Sequence, residues 1–179
     1  MTARFRGFTL VELLIVIAII GVLAVVVLVA INPVEQLAKT RDSGRISSIT
    51  QIGHAIQGYY TSKAATANPF PRETPAAVWD NDLITIGELS NFPGAIAYSG
   101  AITACTENPV NGYCYDWIVN NGSVVYARME SLNQNSKCTS PNVAFAVFST
   151  ADGRGGVVCG VVGGLDPWAA GSAPAGGYQ

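Results

Sequence analysis

A long apolar run near the N-terminus is the feature that most constrains this sequence. From Phe8 to Ile31, only Thr9, Glu12 and Gly21 interrupt a stretch that is otherwise hydrophobic and rich in Leu, Ile and Val. A helix of about 24 residues is about 36 Å long, which is enough to cross a hydrocarbon layer of about 30 Å with some tilt. Because the run is apolar on every face, it lacks the one-sided pattern of a surface helix in a soluble domain. The sequence therefore predicts a membrane-spanning helix over residues 8–31.

Residues 32–62 are expected to form an amphipathic continuation of the same helix. Apolar residues recur there at intervals of three and four, and we expect this stripe to pack under a sheet. Its members are Val34, Leu37, Ala38, Ile46, Ile49, Ile52, Ile56 and Tyr59 or Tyr60. Pro33 removes a helix hydrogen bond and predicts a kink, and Gly44 and Gly53 are further weak points. Charged residues are expected on the other faces, in solvent-exposed or intersubunit pairs: Glu35, Lys39, Arg41, Asp42 and Arg45.

Residues 63–179 are expected to form a globular head. The 179 residues, 49% hydrophobic and 12% charged, allow one modest domain with its own core. An irregular connection with a short helix near residues 82–89 comes first, and a loose tail over 163–179 comes last. Between them the sequence predicts four strands, over 113–119, 123–129, 143–148 and 157–161. Asn121-Gly122 is a hairpin signal and residues 152–156 suit a second turn, so the predicted fold class is α+β, with an antiparallel meander laid on the helix.

Four cysteines lie in the polar C-terminal half, and they are Cys105, Cys114, Cys138 and Cys159. No pair has the C-x-x-C spacing of a zinc knuckle. An even number of cysteines beyond a membrane anchor favours disulfides in an oxidising outer compartment, and the alternative is free thiols in a reduced cell interior. Three connectivities are possible, and we favour Cys105 with Cys114 and Cys138 with Cys159. Closing loops of about 10 and 22 residues would stabilise the head by roughly 3 kcal/mol each.

A basic start before an apolar run also describes a secretory signal peptide, which would be removed whole. Such a signal has an apolar region of about 7 to 15 residues and a small-residue cleavage motif, whereas this run continues to Ile31 and meets Asn32-Pro33. The basic residues on the two sides of the run nearly balance, so they do not set its orientation. The cysteines favour a head outside the cytoplasm.

Residues 6–14, Arg-Gly-Phe-Thr-Leu-Val-Glu-Leu-Leu, with the apolar run that continues them, resemble the prepilin processing signal of type IV pilins and type II secretion pseudopilins. The resemblance covers about the first 25 residues. It implies that a membrane-embedded prepilin peptidase cuts after Gly7, removes the leader 1–7 and methylates the new amino group of Phe8. It also implies a type IV pilin-like fold and identifies Glu12 as the carboxylate used in assembly.

The chemistry of Glu12 and Gly7 supports these assignments independently. A charged side chain in a spanning segment costs about 2.5 to 3.5 kcal/mol even on insertion scales, so Glu12 is expected to have a partner. Cleavage supplies one, the α-amino group of Phe8 on the same helix or on a neighbouring subunit, and a mismatched stagger would leave two uncompensated charges. The alternative is a carboxylate tolerated near the membrane interface. Gly7 resists continuation of the helix, so a protease can reach extended backbone there.

No catalytic residue, cofactor site or metal site is predicted. From Ala64 onward the sequence has nine acidic residues and only four basic ones, which are scattered. This composition disfavours nucleic-acid binding through a basic patch. Asp80-Asn81-Asp82 could ligate calcium, as sheet loops of related pseudopilins do, but a solvated acidic loop is the favoured interpretation. His54 is expected to be a packed or surface side chain. Asn121-Gly122-Ser123 is formally a glycosylation sequon, but the hairpin already explains it.

The resulting hypothesis is a structural subunit rather than an enzyme. The chain would be a single-pass membrane protein in lipid before assembly, with its head outside the cytoplasm. It would then polymerise with itself on an inner-membrane assembly platform into a pilus or a periplasmic pseudopilus. The alternatives are a pseudopilin or minor pilin of a secretion or DNA-uptake machine and, in a different class, a membrane-anchored outer-surface enzyme or binding module. The sequence does not choose among adhesion, motility, DNA uptake and secretion.

Overall fold

The computed structural model of the chain describes residues 7–64, 69–73, 78–100, 102, 104–118, 121–162, 165 and 178. Residues 1–6 of the predicted leader and most of the predicted tail therefore lie outside the described residues. The helices in these ranges are α1 Leu10–Ile31, α2 Pro33–Lys63, α3 Trp79–Ile86 and α4 Leu132–Asn135. The strands are β1 Cys114–Ile118, β2 Gly122–Arg128, β3 Val143–Ser149 and β4 Arg154–Gly160. The architecture is α+β, as the sequence predicted.

Helix α1 ends at Asn32, where the sequence predicted only a kink. Asn32 adopts the left-handed conformation with φ 45°, and its side-chain oxygen accepts a hydrogen bond from the backbone N–H of Glu35 at 3.4 Å. Pro33 is then the first residue of α2, where its missing N–H leaves no unmade hydrogen bond and its fixed φ suits a helix start. The chain therefore starts a new helix at Pro33. Gly44 and Gly53, the other two predicted weak points, do not interrupt this helix.

The chain divides into two compact units, one ending at Leu37 and the other beginning at Ala38. In the first unit, no residue of α1 is buried, although the helix consists almost entirely of apolar side chains. It is long and apolar enough to cross a membrane. The described part of this unit therefore offers its apolar surface to an environment outside the chain.

In the second unit, the four strands form one antiparallel sheet in the order β1-β2-β3-β4. The predicted meander is therefore confirmed, with two differences at the turns. Gly122, with φ 103°, pairs with Ile118, so it is the first residue of β2 rather than part of a two-residue turn. Arg154 pairs with Ser149, so Arg154 to Gly156 belong to β4 and the second turn is shorter than predicted.

Helix α2 packs on one face of this sheet and forms the larger of two cores. Ile49, Ile52 and Ile56 are almost fully buried against strand residues that include Val125 and Phe148. The Phe148 ring packs directly against Gly53, where any side chain would collide with it. The predicted apolar stripe is thus the buried face from Ile49 onward.

A second core covers the opposite face of the sheet. Alternate strand residues such as Val124, Tyr126 and Phe145 point to this face, and they pack with Cys105 and with the residues Leu165 and Tyr178. Leu165 and Tyr178 lie in the region predicted to be a loose tail, so that prediction is wrong at these two positions. Because both faces of the sheet are covered, its strands are apolar on both sides.

Two disulfides join segments of the head. Cys105 bonds to Cys114 at the start of β1, and Cys138 bonds to Cys159 in β4. This is the pairing favoured from the sequence, where three connectivities were possible. The first bridge fixes the segment before β1 to the sheet, and the second fixes the connection after α4 to the strand at the opposite edge.

A buried ion network joins α2 to the chain that follows β2. Asp42 and Arg45 lie 2.5 Å apart, and Arg45 and Arg41 bond Glu130 at 2.9 and 2.7 Å. Asp42 also accepts hydrogen bonds from the backbone N–H groups of Glu130 and Ser131. Asp42 and Arg45 are buried, so the prediction that they form solvent-exposed or intersubunit pairs is wrong. Burial is tolerated because each charge is both paired and hydrogen-bonded.

The network makes stability depend on pH. The hydrogen bond from Arg41, with others from Ser99 and Arg45, lowers the pKa of Glu130 from 4.5 to about 2 although burial opposes this shift. A depressed folded-state pKa stabilises the fold above the unfolded value, and that stability is lost as pH falls from 4.5 towards 2. We therefore expect Glu130→Gln to lower stability by about 3 kcal/mol at pH 7 and to flatten the pH dependence below 4.5. Thermal unfolding followed by tryptophan fluorescence measures both.

The matched control is Glu88→Gln, which neutralises an exposed carboxylate of the same head. It is expected to leave the unfolding temperature at pH 7 unchanged. Equal pH slopes for the Glu130 variant and the unsubstituted chain would contradict the assignment.

The disulfides predict a second stability effect. Replacing both Cys138 and Cys159 by Ala should lower the free energy of unfolding by about 3 kcal/mol, because the unfolded chain regains the freedom of a closed loop. Replacing both Cys105 and Cys114 should have an effect of similar size. Denaturant unfolding of the two double variants measures these losses, and a loss below about 0.5 kcal/mol for both would show that the bridges do not brace the head.

Candidate functional site

The junction between Gly7 and Phe8 lies in exposed chain just before α1. Residues 7 to 9 are outside the helix, which begins at Leu10. Among the described residues, no atom lies within 4 Å of a Cβ built at Gly7, and Phe8 is 79% exposed. Backbone that is neither helical nor covered can enter an extended protease groove. The predicted cleavage position therefore has the accessibility that proteolysis requires.

Thr9 and Glu12 form a capping box at the start of α1. The backbone N–H of Glu12 donates to Thr9 Oγ1 at 3.2 Å, and Glu12 Oε2 accepts from the Thr9 backbone N–H at 2.9 Å. The Thr9 hydroxyl also donates to the same carboxylate oxygen at 2.8 Å. Two N–H groups at the helix start thereby gain partners, and the carboxylate lies where the helix dipole favours negative charge.

This geometry changes how Glu12 is understood before assembly. The sequence analysis predicted that its carboxylate needs a partner and named the amino group of Phe8. In the described chain the partner is Thr9, three residues away. The pairing of Glu12 with Phe8 requires an amine that exists only after cleavage, so it stays a prediction.

The capping box is a feature that the sequence analysis missed. Thr9-Leu10-Val11-Glu12 has the Thr-x-x-Glu spacing of a capping box directly before an apolar run. The signal was therefore readable. An apolar run that begins at Phe8 places Thr9 inside the predicted helix, whereas in the structure the helix begins at Leu10 and Thr9 is its cap.

The acidic residues considered for calcium lie in a helix, and one of them, Asp82, is already paired. Asp80 and Asp82 lie in the first turn of α3, not in a solvated loop, so the favoured interpretation is wrong. Asp82 is buried and receives two hydrogen bonds from the Arg72 guanidinium at 2.6 and 3.0 Å. Burial alone would raise the pKa of Asp82, but the hydrogen bonds and the charge of Arg72 outweigh it and lower that pKa below its usual value. Because Arg72 already neutralises this carboxylate, the arrangement does not favour a cation. Among the described residues no group of three or more His, Cys, Asp and Glu side chains could hold a metal ion.

The remaining candidates have ordinary surroundings. His54 is exposed, its Nδ1 lies 3.3 Å from Gln57 Oε1, and its ring packs edge-on against Phe148. In the sequon, Ser123 is fully buried, and its backbone N–H donates to Thr150 Oγ1 at 2.8 Å. The N-terminal junction is therefore the candidate functional site.

Comparison with known proteins supports this choice. Residues 2–28 match the family model of the prokaryotic N-terminal methylation motif. No curated protein and no solved structure matches the chain. The matched motif is the prepilin signal of type IV pilins and pseudopilins, and the α+β fold with a long apolar N-terminal helix is pilin-like. The motif thus supports a protein of the type IV pilin or pseudopilin class.

Proposed function

We propose that the chain is the structural subunit of a type IV pilus-like surface filament. A prepilin peptidase would cut it after Gly7 and methylate Phe8, and the mature chain would polymerise through α1. The observation that carries the proposal is the methylation motif over residues 2–28, which begins before the cleavage position and covers most of α1.

The exposed surface of α1 is the physical reason to polymerise. None of its residues is buried within the chain, and side chains such as Leu10, Val22 and Val29 are more than 60% exposed. Apolar surface on this scale needs a covering medium. Membrane lipid would cover it before assembly, and the α1 helices of other copies would cover it in the filament. The principal partner is therefore a second copy, with the inner-membrane platform guiding assembly.

Glu12 would connect processing to assembly. In the membrane its carboxylate is held by Thr9, which lowers the cost of a charge at this depth. Cleavage then creates the positive amino group of Phe8 close to the carboxylate in sequence. Pairing the two charges between staggered subunits would fix the register of the filament, because any other stagger leaves both charges unpaired.

The head would lie outside the cytoplasm. Two disulfides in the head support this placement, because such bonds persist in oxidising compartments. The same motif occurs in pseudopilins, so a pseudopilin or minor pilin of a secretion or DNA-uptake machine is the second candidate. Electron microscopy of sheared cell-surface material tests the choice. Long filaments labelled by an antibody to the head support the pilus, and their absence supports the pseudopilus.

Gly7 generates the first prediction at this site. Gly7→Val adds a branched side chain at the extended cleavage position, and we expect it to block processing by a prepilin peptidase. Intact-mass analysis after co-expression with the peptidase should then show the full leader. The unsubstituted chain should lose residues 1–7 and gain one methyl group.

The control for this experiment is Gly21→Val, which makes the same chemical change within α1, where no neighbouring atom would collide. It should be cleaved normally. Full cleavage of the Gly7 variant, or an intact leader on the unsubstituted chain in the presence of peptidase, would contradict the proposed processing.

Substitutions at Glu12 and Thr9 can separate the effect of the capping box on assembly from the effect of the carboxylate charge. Glu12→Ala removes both, whereas Glu12→Gln keeps a residue type that completes the capping box and removes only the charge. Thr9→Ala keeps the charge and removes the cap, at a cost of about 1 kcal/mol in helix stability. We expect both Glu12 variants to lose filaments and the Thr9 variant to assemble, as measured by filament yield in sheared material.

All three variants should first be shown to be cleaved, so that failure of assembly is not failure of processing. Normal filament yield with Glu12→Gln would show that the charge is not used. Restored assembly with Gln but not with Ala would assign the effect to the capping box.

A further inference from the structure

The start of α1 lies very close to the proposed cleavage position. Only Phe8 and Thr9 separate the bond after Gly7 from Leu10, the first residue of the helix. A protease groove binds its substrate as extended backbone, so this bond is available only while the helix begins beyond it. Whatever fixes the start of α1 therefore controls access to the bond.

The capping box fixes that start. Thr9 has extended backbone, with φ −87° and ψ 151°, and its carbonyl already accepts from the Leu13 N–H at 3.3 Å. This is the geometry of an N-cap, whose own backbone is not helical. Both the N–H and the hydroxyl of Thr9 donate to Glu12 Oε2, and Thr9 would lose these bonds if it joined the helix. The box thus opposes growth of α1 towards the N-terminus.

Gly7 alone would not keep the bond out of the helix. Glycine costs about 1 kcal/mol in a helix interior, but it is well tolerated as an N-cap. A helix that begins at Phe8, with Gly7 as its N-cap, is therefore the competing arrangement. Lipid favours it, because lipid offers no partners to backbone N–H and C=O groups outside a helix. The scissile bond would then belong to the first helical turn.

Packing does not hold this part of the chain extended either. Phe8 is 79% exposed, and among the described residues no atom lies within 4 Å of a Cβ built at Gly7. The bonds between Thr9 and Glu12 are therefore the interactions at the junction that distinguish a helix beginning at Leu10 from one beginning at Phe8.

We propose that Thr9 is a positioning residue for processing, because its capping box with Glu12 keeps the bond between Gly7 and Phe8 in extended backbone. The inference rests on the proposed function, since it needs cleavage after Gly7. The cut is a hydrolysis, in which water adds to the Gly7 carbonyl carbon and the nitrogen of Phe8 leaves as the amine. Thr9 takes no part in these bonds and acts through the backbone conformation.

Cleavage rates test the proposal, with the full chain in detergent micelles, purified prepilin peptidase and intact-mass detection. Thr9→Ala removes the cap and adds a strong helix former, and kcat/KM should fall about fivefold. Thr9→Ser keeps a capping hydroxyl and should stay within about twofold of the unsubstituted chain. Slower cleavage still reaches completion on long incubation, so assembly of Thr9→Ala remains measurable.

Val11→Ala is the matched control, because it shortens an exposed side chain of the same helical turn that takes no part in the cap. It should be cleaved at the rate of the unsubstituted chain.

A second measurement follows the backbone directly and needs no peptidase. Carbon chemical shifts of residues 8 and 9 should be those of extended chain in the unsubstituted protein and in Thr9→Ser, and should move towards helical values in Thr9→Ala. Adding Leu10→Pro to Thr9→Ala places proline at the first helical position, which suits a helix start and keeps the preceding residue extended. This double variant should regain extended shifts and fast cleavage without a hydroxyl at position 9.

Equal cleavage rates for Thr9→Ala and the unsubstituted chain would overturn the inference. Slow cleavage of either variant while residues 8 and 9 stay extended would also overturn it, because the peptidase would then recognise the Thr9 side chain itself. If the unsubstituted chain kept its leader, the proposed function would fail instead. The chemical shifts would still show whether Thr9 sets the start of α1.

Discussion

The rest of the structure depends on one constraint, which is that α1 cannot bury its own apolar surface. The helix is apolar on every side, and no residue in it is buried within the chain. A head of this size has a core of its own, formed by α2 and the two faces of the sheet. The chain therefore combines a part that folds on itself with a part whose apolar surface needs a covering from outside the chain. The proposed filament satisfies both parts at once.

Within the head, the buried ions and the disulfides act at different places. The network of Asp42, Arg45 and Glu130 ties α2 to the chain after β2. It also holds the segment that precedes β1, because the Ser99 N–H donates to Glu130 and the Ala97 carbonyl accepts from Arg45. The bridges tie the two sheet edges to neighbouring loops. Apolar packing alone does not select these loop positions, whereas paired charges accept few alternative geometries.

Much of the fold could be predicted because its signals are local. The apolar run predicts α1, the alternation and turn residues predict the four strands, and the cysteine spacing favours the observed pairs. The burial of Asp42 and Arg45 could not be predicted in the same way, because it depends on Glu130, which is far away in sequence. On the helix alone, Asp42 and Arg45 resemble an exposed i,i+3 ion pair. Their burial is stable only because Glu130 bonds to both of them.

Two other differences from the sequence prediction have other physical reasons: the packing of Tyr178, which was predicted to lie in a loose tail, and the capping box of Thr9 and Glu12. A tail rich in Gly and Pro has no periodicity, and the notch that receives Tyr178 exists only once Gly156 lies in a folded strand. The sequence of the strands did indicate a cover on the second face of the sheet. Strand β3, for example, is apolar on both faces, so each face must pack against another part of the chain. For the candidate site, the roles of Gly7, Phe8 and Glu12 stay predictions from the resemblance, and the local bonds of Glu12 needed atomic coordinates.

The capping box has a consequence for the life of the subunit after polymerisation. On the proposed function, Glu12 exchanges Thr9 for an amine when it enters the filament, and Thr9 is still present when the filament is taken apart. A subunit returning to the bilayer can restore its original hydrogen bonds without any chemical repair. On the proposed function, a subunit returned to the membrane would need no new covalent change before it assembled again.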